Sequence, residues 1–255
     1  MSDINNLYAD LSRYYDHFCT GVDYAQQCDF AERAFKAFAE SIVPGNVAGE
    51  YLDLACGTGP HLYFMQQKGF RCSGLDNSAQ MLELAQQRCP DAQLLLCDLA
   101  AFDVDGQFDL VSCFLYSIHY SHPLTALHET LRRAYQALKP GGVLIFDLVD
   151  KRGILNSDGV VTRADSAEGA LRFQSGWKYR GHGDVLDLHL SIELAGATGV
   201  QRWSDHHIMT ATTIAEVQSH LQHVGFDVTI LEHDFSSLRE WQGDSFNVIV
   251  VAVRH

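Results

Sequence analysis

The chain has 255 residues, 47% of them hydrophobic and 20% charged, which is the make-up of a soluble globular protein with one large domain or one domain carrying an insertion. Its 32 acidic and 18 basic residues leave a net charge of -14. That balance argues against a general nucleic-acid or anionic-membrane surface, and for a small neutral or cationic partner. Seven cysteines, without a CxxC pair, read as reduced thiols of a cytoplasmic protein. No run is apolar for long enough to span a bilayer, and the opening MSDINNLYADLSRYYD lacks a basic region followed by an apolar one. Neither a membrane span nor a leader is expected.

Residues 1–45 are expected to form a helical lid. Within it, Asp23 to Phe38 puts Tyr24, Cys28, Ala31, Phe35 and Phe38 on one helical face. Tyr14 and Tyr15, just before it, suit either the core or the wall of a pocket, having an apolar ring and a polar tip. Pro44-Gly45-Asn46 breaks the chain before a central strand at 50–55, which ends in Gly57-Thr58-Gly59 and a helix at 60–68. Alternation continues with strands at 70–75, 93–97, 108–115 and 143–148 and helices at 78–88 and 122–138. Lys139-Pro140-Gly141-Gly142 is a tight turn into the fifth strand. Such a rhythm means an α/β doubly wound, mostly parallel sheet covered by helices on both faces.

After Asp150 the rhythm changes. Residues 151–168 are polar and turn-rich, and three runs follow at 171–179, 185–194 and 201–209. VLDLHLSIEL alternates apolar with polar, the mark of a half-exposed antiparallel strand. Residues 151–209 therefore read as a small antiparallel β insertion. A helix at 212–224 and runs at 226–232 and 246–253 return to the main sheet as its final antiparallel pair, so that 46–150 and 210–255 make up one Rossmann-like domain.

Ligands of open α/β sheets bind beyond the carboxyl ends of the strands. Gly57 and Gly59 let the main chain approach a bound molecule closely. Asp76 closes the second strand about 20 residues beyond Gly57, the spacing at which a carboxylate accepts from ribose hydroxyls; that role is favoured over the other one open to it, a helix N-cap for 78–88. Asp98 follows the third strand with Leu99 beside it, placed to accept from an exocyclic adenine amine or to serve as a turn aspartate. Met81 suits either the adenine face or the core. Asn77, next to Asp76, and Phe114, at the end of the fourth strand, are further candidates. A dinucleotide fingerprint needs a small residue three places after its second glycine. Leu62 stands there, which lowers the reading as an NAD-dependent oxidoreductase.

LDLACGTG, then Asp76, Asp98, FDLVSCFLYSIHY and LKPGGVLIFDL together resemble the successive motifs of the class I S-adenosylmethionine-dependent methyltransferases. The likeness covers roughly 50–150 and extends to the final helix and strand pair, implying a seven-stranded sheet. It implies that S-adenosylmethionine lies against Ala55, Gly57 and Gly59, with Asp76 on the ribose and Asp98 at the adenine. Asp53 matches the acid that opens the glycine motif and orders that loop. A finer similarity, in DYAQQ, ACGTGPHL and WSDHHIMT, is to the branch that N-methylates amino sugars of antibiotics. It implies an acceptor site beneath the 151–209 insertion and a homodimer. FLYSIHY departs from that branch where the substrate would sit.

Methyl transfer from a sulfonium is an in-line displacement that needs alignment and a nucleophile with a free lone pair. His119, just beyond the fourth strand, is the first choice for a base, although a polar loop residue that packs or caps is an equal reading. Tyr14, Tyr15 and Tyr116 are expected to line the acceptor pocket. His206 and His207 are adjacent on a strand and point to opposite faces, so only one can meet the pocket; His207 is the candidate. Thirteen histidines offer no HxxxH pattern, and of the acids only Asp147 and Asp150 come near the fourth and fifth strand ends, so no metal is expected. The leading expectation is N- or O-methylation of a small molecule; the alternative is a non-catalytic S-adenosylmethionine-binding protein.

Overall fold

The computed structural model describes residues 11–39, 49–157 and 159–255. The apolar runs form strands β1 (Glu50–Leu54), β2 (Arg71–Asp76), β3 (Gln93–Leu96), β4 (Phe108–Cys113) and β5 (Leu138–Val149), which pair with one another in parallel. The insertion supplies β6 (Val160–Ser166), β7 (Gly169–Tyr179), β8 (Val185–Gly196) and β9 (Gly199–Thr210), a separate antiparallel sheet in sequence order. The chain then returns as β10 (Phe226–Glu232) and β11 (Asn247–Arg254). The main sheet runs β10-β11-β5-β4-β1-β2-β3, and β11 is antiparallel to both its neighbours. The expected seven-stranded, doubly wound architecture with a small antiparallel insertion is what forms.

Helices cover both faces. Beyond the single turn α1 (Tyr15–Phe18), α2 (Tyr24–Phe38), α3 (Pro60–Gln67) and α4 (Ala79–Arg88) share one apolar layer. Helices α5 (Leu124–Ala137) and α6 (Ile214–Val224) share the other. Local chemistry sets their starts. Ser78 Oγ accepts from Met81 N–H at α4, and Thr213 and Glu216 make a reciprocal capping box at α6. Among the described residues, no helix is long and apolar enough to cross a membrane.

Three local expectations change. Helix α2 buries Gln27, Cys28, Phe30, Ala31 and Ala34, with Phe35 and Phe38 only half-buried. The stripe is rotated because Gln27 Oε1 accepts from His61 Nε2 at 2.7 Å and Phe30 packs edge-on against Phe235. Strand β6 lies in a stretch read as turns. It is an edge strand, carrying Arg163 and Asp165 outward, and edges take the polar residues that mask a strand signal. Residues 139–142 are a bulge within β5, since Phe108 pairs with Leu138 but Leu110 with Val143.

The inner face of the small sheet contributes Phe173, Leu188, Leu190 and Met209 to a third apolar cluster with Leu11 and Tyr14. That packing stands the insertion over the carboxyl ends of β4 and β5, where the ligand-binding crevice of such a sheet lies.

Candidate active site

The turn after β1 is built from left-handed backbone: φ is 59° at Ala55, 54° at Gly57 and 79° at Gly59. Asp76, at the tip of β2, holds this turn in place. Its Oδ2 accepts from Gly57 N–H and its Oδ1 from Ser78 N–H, each at 2.9 Å. Burial pushes the Asp76 carboxyl up from its ordinary value, against the lowering by those N–H groups. Thr58 ties the turn outward, its hydroxyl donating to Asp16 (2.7 Å) and accepting from Arg88 (2.8 Å).

Beside this turn lies a cavity of about 210 Å³, walled by Ala55, Gly57, Asp76, Asn77, Met81, Asp98, Leu99 and His207 among others. Asp98 Oδ1 accepts from Ala100 N–H, so the turn role is real and leaves the other oxygen. A recess of about 20 Å³ continues under Gly57 to Asp53, His61 and Phe114. Asp53 Oδ1 accepts from Ser112 (3.0 Å), while Oδ2 is buried without a hydrogen bond and has His61 Nδ1 at 3.6 Å. On the other side opens a larger cavity of about 620 Å³, bounded by Tyr15, Tyr116, Trp177, Leu188, Leu190 and Met209 among others. Tyr15, Ser117 and Tyr120 line both it and the 210 Å³ cavity, so the two lie side by side and share that wall.

A sequence profile described as a methyltransferase domain matches residues 52–142. The chain is 29% identical over 231 residues to a dTDP-3-amino-3,4,6-trideoxy-alpha-D-glucopyranose N,N-dimethyltransferase of Streptomyces venezuelae, covering 88% of this chain and 92% of that one. It is 26% identical over 232 residues to a dTDP-4-amino-2,3,4,6-tetradeoxy-D-glucose N,N-dimethyltransferase of Saccharopolyspora spinosa, with the same coverage. The crystal structure of Streptomyces venezuelae DesVI overlays with a TM-score of 0.78 at 26% identity, covering 97% of this chain and 99% of that one. Residues 52–142 carry a methyltransferase domain, and the chain shares its fold with the S-adenosylmethionine-dependent methyltransferases.

The residues of this methyltransferase fit that cofactor. The recess and the 210 Å³ cavity are walled by Asp53, Asp76 and Asp98 and by no described Lys or Arg. Carboxylates suit hydroxyl and amine donors and a cationic sulfonium. A dinucleotide pyrophosphate would find no cation there, so the oxidoreductase alternative gains no support. Asp53 Oδ2 makes no hydrogen bond although it is buried, so a donor on the cofactor would satisfy it.

His119 is not placed as a base. It is fully buried, its Nδ1 donates to the Thr210 carbonyl at 2.7 Å, and its Nε2 accepts from Val149 N–H at 3.2 Å. Both nitrogens are spent joining the ends of β5 and β9, and burial lowers its pKa. The structural reading wins. Tyr14 also leaves the pocket: it is buried among the third cluster, its hydroxyl donating to Glu168 at 2.8 Å. Gly59 serves packing, since a Cβ there would lie 3.1 Å from Ala85 Cβ. Phe114 lines the recess rather than the 210 Å³ cavity. His207 does face inward while His206 turns outward to Asp187, but His207 meets the 210 Å³ cavity, its Nδ1 2.8 Å from the Tyr120 hydroxyl.

Ser117, Tyr120, Trp177 and His233 were missed. The first two had a signal. Residues 117–120 form a 3-10 turn, whose three-residue period puts Ser117 and Tyr120 on the cavity side and Ile118 and His119 in the core. Trp177, in β7, and His233, in the bend just after β10, are far off in the chain and had none. They hold Tyr116, which stacks on His233 (5.4 Å, 13°) and meets Trp177 edge-on (5.1 Å, 87°).

Proposed function

We propose that this methyltransferase moves a methyl group from S-adenosylmethionine to a nitrogen of a small molecule in the 620 Å³ cavity, with the described parts of the N-terminal segment (11–39) and of the insertion (151–157 and 159–209) closing over that acceptor; residues 1–10 and 40–45 of the expected lid lie outside the described residues. The observation that supports the reading is that the two cavities adjoin, sharing the side chains of Tyr15, Ser117 and Tyr120. Nitrogen as the nucleophile is supported by the N,N-dimethyltransferase relatives.

In this reading Asp76 accepts from the ribose hydroxyls with the lone pairs that Gly57 and Ser78 leave unused. Asp98 accepts from the adenine amine, and Met81 and Leu99 supply apolar contact to the base. Asp53 Oδ2 and the Gly57 end of the turn take the amino group of the methionine part. The cofactor supplies an electrophilic methyl: the N–C bond forms as the S–C bond breaks, sulfur keeps that electron pair, and the new ammonium gives its proton to water. What the chain contributes is alignment and exclusion of water, which for well-oriented reactants supplies about 7–11 kcal/mol. No described His, Asp or Glu lines the acceptor cavity, so the amine must arrive neutral. All seven cysteines are free thiols, which supports a reducing, cytoplasmic setting.

The test is calorimetric titration with S-adenosylmethionine, followed by detection of S-adenosylhomocysteine formed in the presence of primary amines. Absence of a binding signal at about 1 mM, where even a Kd of that order gives a measurable isotherm, would refute the reading.

A further inference from the structure

The wall of the 620 Å³ cavity contains no Asp, Glu, Lys, Arg or His among its described residues. It is made of aromatic and aliphatic side chains with a few hydroxyls and amides: Trp177, Tyr116, Leu188 and Leu190 on one side, Ser175 and Thr162 on another. The segments outside the described residues, 1–10, 40–48 and 158, hold no Lys, Arg or His side chain at all. Their ionisable acids are Asp3, Asp10, Glu40 and Asp158. The cations near the cavity's β5 and β7 ends are engaged. Arg152 pairs with Asp150 at 2.6 Å, Lys151 with Asp184 and Glu216 at 3.3 Å, and Lys178 donates to the Asn156 carbonyl at 2.9 Å.

From this we infer that the acceptor is an unphosphorylated, largely apolar amine with a ring system, in contrast to the nucleotide-linked sugars named for the relatives. The inference rests on the transferase reading and sharpens it. Burying a diphosphate against such a wall would strip its charges of water and leave them unpaired. An apolar ring gains in proportion to the surface it removes from water. A cavity of this volume also falls in the range that encloses most of the surface of a drug-sized molecule. The same lack of charge serves the chemistry. Desolvation lowers the pKa of a bound amine, so the lone pair is exposed without a side-chain base. That accounts for a transferase whose buried His119 has both nitrogens committed.

The test uses the full chain saturated with S-adenosylhomocysteine. Nile red, an uncharged polycyclic dye, is titrated by fluorescence, and thymidine diphosphate by calorimetry. The same titrations are run on Ser175→Glu, which places a carboxylate in the wall at a half-buried position that tolerates a polar side chain. The expected result is saturable dye binding that Ser175→Glu weakens about tenfold or more, equivalent to about 1.4 kcal/mol, and no thymidine diphosphate binding up to about 1 mM. S-adenosylhomocysteine affinity should be the same in both proteins, which shows the variant to be folded. Saturable thymidine diphosphate binding overturns the inference. So does dye binding that is absent or insensitive to Ser175→Glu. Loss of the S-adenosylhomocysteine signal in the parent chain marks failure of the transferase reading itself, which is read separately.

Discussion

Replacing Asp147 with Asn should release the loop that carries Tyr116 into the 620 Å³ cavity, the proposed acceptor site. Leu115 and Tyr116 both have left-handed backbone, with φ of 60° and 57°. Each such non-glycine residue costs about 1–2 kcal/mol, so the pair stores about 2–4 kcal/mol. Asp147, buried in β5, holds them: its Oδ2 accepts from Leu115 N–H at 3.0 Å and its Oδ1 from Tyr116 N–H at 2.6 Å. Hydrogen bonds to a charged group contribute about 1.5–3 kcal/mol each, which is enough to hold the strain. An Asn amide offers a single oxygen. One bond becomes a neutral one of about 0.5–1.5 kcal/mol, and the other N–H is left without an acceptor at a cost of about 1–3 kcal/mol. Strain then exceeds restraint. Amide hydrogen exchange at Leu115 and Tyr116 should accelerate, and kcat/KM for the acceptor should fall about tenfold or more. S-adenosylhomocysteine affinity should stay constant, since the turn at Gly57 is held by Asp76 instead. Parent-like exchange at both amides, with kcat/KM also unchanged, would show that the carboxylate does not hold the loop.

Two further outcomes are expected. Asp76→Ala removes the ribose acceptor and the anchor of the Gly57 turn together, and cofactor Kd should rise at least about tenfold, the equivalent of a single hydrogen bond to a charged group; an unchanged isotherm would remove the assignment. His119→Gln should lower stability while leaving turnover of the folded protein intact at neutral pH. Burial depresses the folded-state pKa of His119 below 6.5. Its contribution is therefore present above that value and lost as pH falls from 6.5 through the folded-state pKa, at about 1.4 kcal/mol per unit. Urea unfolding between neutral and acidic pH should show an acid-side slope smaller by about one proton in the variant. A collapse of turnover with parent-like stability would return His119 to the chemistry.

The backbone of the site was readable from residue order alone. A glycine turn after an apolar strand, followed by acids at the tips of the next two, is a local pattern. It sets strand, turn and helix through φ preferences and burial periodicity that act over a few residues. Asp76, Asp98, Gly57 and Met81 duly wall one cavity. His119 was not decidable in that way, because what matters is the partner of each ring nitrogen. Those partners, the Thr210 carbonyl and Val149 N–H, lie 91 and 30 residues away. Tyr14 and Tyr15 are neighbours with opposite fates for a similar reason: the small sheet buries one ring and leaves the other between the two cavities. The wall of the 620 Å³ cavity was the least legible part. It is assembled from α1, the ends of β4 and β5 and the inner face of the insertion. The lack of charge among its described residues belongs to no segment and arises only when those surfaces meet.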